Sequence, residues 1–78
     1  MKQNEYKITD LNLASILTTL GHTIKRLDKE NSRRVIFVFE DELEIQNVIG
    51  NYWSGALSVD PRKLFDNQKM LKSRIYNE

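Results

Sequence analysis

Val35-Ile-Phe-Val-Phe39 is a run of five apolar residues, each β-branched or aromatic, inside a chain of 78 residues. Residues of this kind in an unbroken run predict a strand. Side chains alternate between the faces of a strand, so Val35, Phe37 and Phe39 point one way and Ile36 and Val38 the other. Both sets are apolar, which predicts cover on both faces: helices on each side, or helices on one side and a partner chain on the other. A chain this short buries only about 60% of the surface it exposes when unfolded, so it has room for one core. That core must be built around this strand.

The flanking segments supply the other layers. Thr23–Leu27 and Arg34–Phe39, on either side of the polar tip Asp28–Arg33, read as a β-hairpin. Before it, Leu13, Ala14, Ile16, Leu17 and Leu20 recur at helical spacing, with Thr9 or Asp10 as N-cap, Ile8 positioned to staple onto Leu13, and Gly21 as the left-handed stop. After it, Asp41 with Glu44 forms a capping box, and Glu40, Glu42 and Glu44 favour the positive end of the helix they introduce. Ile45, Val48, Ile49, Tyr52 and Trp53 share a stripe of roughly 140° on that helix, which ends at Gly55. Asp60-Pro61 starts a third helix, Asp as cap and Pro in the first turn. On it Leu64, Leu71 and Ile75 align, with Phe65, Gln68 and Tyr76 beside them.

The expected architecture is a single small α+β domain over 1–78, in the order helix, β-hairpin, helix, helix. Ala56–Val59 alternates in a way that suggests an extra short edge strand, and residues 1–7 read as flexible.

Composition narrows the chemistry. With no cysteine, neither disulfides nor thiolate zinc sites are available, and a reducing compartment suits the chain. No apolar run reaches the ~18 residues of a membrane span, and no apolar stretch follows Lys2 as in a secretory signal. A soluble, cytoplasmic protein that does not associate with membranes is expected. His22 is the sole histidine and follows a helix stop, where a ring or cation suits the helix dipole. The serines lie in no strand-turn-helix elbow, the clustered carboxylates open a helix, and Gly21, Gly50 and Gly55 form no phosphate-cradling loop. No catalytic residue, metal ligand or cofactor is expected, so the chain reads as non-enzymatic.

Binding has more support. Lys25, Arg26, Lys29, Arg33 and Arg34 stand against only Asp28 and Glu30, a local balance of +3. A basic two-stranded ribbon of this kind can meet nucleic acid. Arg62, Lys63, Lys69, Lys72 and Arg74, placed at 100° per residue on the last helix, form no single basic stripe and read as a solvated surface. Leu11, Leu43 and Met70 lie off the main apolar faces of their helices, and Trp53 sits at the edge of its own. Together they suggest a surface for a protein partner or for self-association as a dimer.

The segments "ITDLNLASILTTLGH", "RVIFVFED" and "YWSGALSVDPRKLFDNQKMLKSRIY" resemble a small domain family of unknown function from bacterial and phage genomes, over Ile8 to Tyr76. The resemblance implies an accessory protein of a phage, prophage or other mobile element, and no particular chemistry. The reading from sequence is a small non-enzymatic binding protein that contacts nucleic acid through the basic hairpin. The alternative is a protein-interaction module, either a homodimer or an adaptor or inhibitor of a host protein.

Overall fold

The structure, a computed structural model, describes residues 5–31, 34–40 and 43–77. Its elements run β1 (Glu5–Ile8), α1 (Leu11–Thr19), β2 (Ile24–Asn31), β3 (Arg34–Glu40), α2 (Leu43–Ser54) and α3 (Pro61–Asn77). The strands form one antiparallel sheet in the order β1-β3-β2, so the apolar run lies in the central strand. The domain is α+β, as expected.

Local chemistry explains the helix ends. Asp10 caps α1, its carboxylate accepting from the backbone N–H of Asn12 at 2.8 Å and of Leu13 at 3.3 Å. At the other end His22 N–H donates to Leu17 C=O and Gly21 N–H to Thr18 C=O. This paired closure needs a left-handed residue, and Gly21 provides it at φ 99°. Gly55 closes α2 in the same way at φ 78°, with Ala56 N–H donating to Asn51 C=O. Asp60 caps α3 through the N–H groups of Arg62 and Lys63, with Pro61 at the first helical position. The capping box at Asp41 lies outside the described residues.

Two elements differ from expectation. Ala56–Val59 forms no strand; it is the irregular connection between α2 and α3. The third strand is instead Glu5–Ile8, so residues 5–7 are ordered by pairing with β3: Tyr6 stands opposite Phe39 and Ile8 opposite Phe37. Tyr6 and Ile8 turn to the core while Glu5 and Lys7 face out, an alternation too short to stand out in the sequence.

The core lies on one face of the sheet. Phe37 and Phe39 pack with Ile8, with Leu13, Ala14 and Leu17 of α1, with Ile45 of α2 and with Leu71 of α3. Tyr6, Ile24, Leu27, Val35, Val48, Ile49, Tyr52 and Ile75 close its edges. Ser15 is buried beside them, its hydroxyl donating to Leu11 C=O at 2.7 Å. The core-facing residues of all three helices therefore gather on the face carrying Phe37 and Phe39.

Candidate functional site

The opposite face of the sheet resolves the problem posed by the two-sided strand. Val38 is 0% exposed yet belongs to this outer face, where its cross-strand neighbours are Lys7 and Arg26. The Arg26 guanidinium on β2 forms two hydrogen bonds with Glu5 on β1, at 2.8 and 3.1 Å, and a third with Asp28 at 3.0 Å. Strands β1 and β2 flank β3, about two strand spacings of ~4.8 Å apart, so this pair reaches across the central strand. The side-chain stems lie over Val38 and do the work that a second helix layer or partner chain was expected to do. A bulge at Lys25 lets the next cation join: Lys25 Nζ is 3.3 Å from the same carboxylate. Arg26, then Lys25, pulls the Glu5 carboxyl down to about 2, and Glu5, then Asp28, raises the guanidinium in turn.

The described cations of the basic hairpin are consequently engaged within the protein. Lys25 and Arg26 are held by Glu5, Arg34 pairs with Glu30 at 2.9 Å, and Lys29 Nζ donates to Ile75 C=O at the end of α3. Each described cation of the set Lys25, Arg26, Lys29 and Arg34 thus has an intramolecular partner. Arg33 lies outside the described residues. The +3 of this segment already counts Asp28 and Glu30, and Glu5 from β1 lowers the local balance to +2.

The suggested partner surface is also dispersed. Leu11 is half-buried and packs against the core cluster, which corrects its reading as an off-face residue. The side chain of Leu43 lies outside the described residues. Trp53 is 72% exposed, its ring edge-on to Tyr52 at a centroid distance of 5.1 Å. Tyr52 packs on the core and Trp53 does not, so the apolar stripe of α2 ends one residue earlier than its spacing predicts. Met70 is partly exposed and borders an open depression of about 360 Å³ shared with Thr18, Gly21, His22, Thr23, Ile24 and Arg74. Leu11 and Met70 stand at opposite ends of α1 and form no common patch.

Three exposed cations without an ion pair among the described residues, Arg62, Lys69 and Lys72, lie on α3. The rotation of this helix is set by Leu71, buried against α1, and by two side-chain bonds to α1: Asn67 Nδ2 to Thr19 Oγ1 at 3.0 Å and Gln68 Nε2 to Asn12 Oδ1 at 2.6 Å. These contacts turn Leu64, Gln68, Leu71 and Ile75 inward and leave Phe65 63% exposed and Tyr76 85% exposed. Phe65, Lys69, Lys72 and Tyr76 follow the spacing i, i+4, i+7, i+11, and with Arg62 they occupy an arc of about 80° on the solvent side of α3. All five are exposed, and the cations of Arg62, Lys69 and Lys72 form no ion pair among the described residues. Phe65 and Tyr76 looked like flankers of the buried face, so the sequence reading divided the stripe. The signal that would have found it is the alternation of aromatic and lysine at one helical spacing.

Among the described residues, no group of three or more His, Asp or Glu stands close enough to hold a metal ion, and no helix is long and apolar enough to cross a membrane. Fold and surface together define a small α+β domain, three helices on one face of a three-stranded antiparallel sheet, with a row of exposed basic residues, Arg62, Lys69 and Lys72, along the last helix. The chain belongs to a family described as a domain of unknown function (DUF5659), whose model matches residues 3–77. Searches of curated proteins and of solved structures each found no match.

Proposed function

We propose that the protein is a non-enzymatic nucleic-acid-binding module that uses the exposed face of α3. One observation carries the reading: Arg62, Lys69 and Lys72 lie on one side of a helix without an ion pair among the described residues, interleaved with two exposed aromatic rings. A polyanion gains from such a row because its phosphates release condensed counterions to cations that need give up no existing ion pair. The hairpin first suggested by the sequence offers less, since its described cations would have to exchange Glu5, Glu30 or Ile75 C=O for phosphate. The resemblance to proteins of phage and bacterial genomes supports a setting in a mobile element.

Three phosphate contacts predict weak, salt-sensitive binding, with log K falling against log salt with a slope of about −2 on a single strand or about −3 on a duplex. Fluorescence anisotropy with labelled oligonucleotides between ~50 and ~200 mM salt measures this slope. Lys69→Glu with Lys72→Glu should abolish binding at the low-salt end. Unchanged affinity in that double variant would refute the assignment to α3.

A second reading, a protein-interaction module, draws on Trp53, the chain's single tryptophan, standing largely in water at the end of α2. Buried tryptophan is a frequent interface anchor. Light scattering of the wild type and of Trp53→Ala across a range of concentrations separates the readings for self-association: a dimer lost on substitution favours this second one.

A further inference from the structure

We infer that the ligand of the α3 face is single-stranded, with bases stacked on Phe65 and Tyr76 and the intervening phosphates met by Lys69 and Lys72. The inference rests on the nucleic-acid reading above and adds the form of the ligand.

The argument begins with the two rings. A helix that only meets duplex phosphates needs cations and hydrogen-bond donors, and two large apolar rings held in water add nothing to such a contact. In a duplex the base faces are occupied by their neighbours in the stack. A single strand leaves those faces free, and any base offers one to an aromatic ring, which is why single-strand binders combine basic tracks with exposed aromatics.

The spacing agrees. Phe65 and Tyr76 are eleven residues apart on a continuous helix, about 16 Å along its axis. That matches about five nucleotides at the ~3.4 Å rise of one stacked strand, within the range of site sizes of small single-strand-binding folds. Lys69 and Lys72 fall between the rings on the same arc, where the phosphates of such a strand would run. Arg62 extends the track by about one turn beyond Phe65.

The rings also carry little of the fold. At 63% and 85% exposure they bury little surface, so their replacement should leave the domain intact and change binding alone.

The test compares three labelled probes of equal length, a twelve-nucleotide oligothymidylate, the same strand with abasic sites throughout, and a twelve-base-pair duplex. Anisotropy is read at low salt for the wild type, for Phe65→Leu with Tyr76→Leu, and for Lys69→Gln with Lys72→Gln, with circular dichroism confirming the fold of each. Stacking on two rings predicts that the wild type binds oligothymidylate at least about thirtyfold more tightly than the abasic strand. The aromatic double variant should erase that difference without altering the salt slope, whereas the lysine variant should reduce the slope by more than one. Equal affinity for the base-bearing and abasic strands, or a preference for duplex, overturns the single-strand inference and leaves the nucleic-acid reading standing. Absence of binding to all three probes overturns both.

Discussion

Glu5 illustrates how one residue can redefine a charged segment. Its carboxylate joins β1 to β2 across β3, and it holds two of the five cations, Lys25 and Arg26, that make the hairpin look like a ligand site. The hydrogen bonds from Arg26 and Lys25 hold the Glu5 carboxyl down at about 2 in the folded protein, against an ordinary value of 4.5. A depressed carboxylate pKa contributes stability that is fully present above the unfolded value and is lost as pH falls through the folded value. The contribution of Glu5 should therefore be complete above about pH 5 and vanish toward pH 2. Thermal melts of the wild type and Glu5→Gln should differ at pH 6 and converge as pH approaches 2. A constant difference down to pH 2 would disprove the role assigned to this pair. Gly21 is the other position where a single residue decides the backbone. Nothing lies within 4 Å of where a Cβ would stand, so Gly21→Ala meets no steric clash. It meets φ 99° instead, and denaturant unfolding should show a loss of about 1–2 kcal/mol.

At the scale of elements, α3 is where packing and function divide. Its inner side contributes Leu71 to the core and its outer side carries the aromatic and basic stripe. Leu71 is fully buried in the core cluster, so Leu71→Ala should destabilise the domain by about 2–5 kcal/mol in denaturant titrations. In so small a domain that is a large share of total stability. The helix was legible from Asp60-Pro61 and from the spacing of Leu64, Leu71 and Ile75. Its exact rotation was not, because Phe65 and Tyr76 border the apolar stripe and periodicity alone treats a bordering ring as buried. Asn67 and Gln68, through Thr19 and Asn12 on α1, hold the rotation that exposes both rings.

For the whole molecule, the two basic regions should separate in experiment. Arg34→Ala removes a cation paired with Glu30 on the hairpin, and it should leave both oligonucleotide affinity and salt slope unchanged. Lys69→Ala removes a cation of the α3 row that has no ion pair among the described residues, and it should lower the slope by about one at similar stability. A reversal of these two outcomes would return the site to the hairpin.

The α+β class, the three helices, the caps of α1 and α3, the glycine stops of α1 and α2, the hairpin and the central place of Val35–Phe39 follow from the sequence, because each rests on local signals: hydrophobic periodicity, capping side chains and left-handed glycines. Tertiary structure decided the rest. Glu5–Ile8 becomes a strand only because the edge of β3 is free to receive it. Val38 is covered by an ion pair between residues 21 positions apart, which no local pattern reveals. The location of the unpaired charge depends on which cations find carboxylates across the sheet, and that is fixed by strand order and register, quantities the chain acquires only on folding.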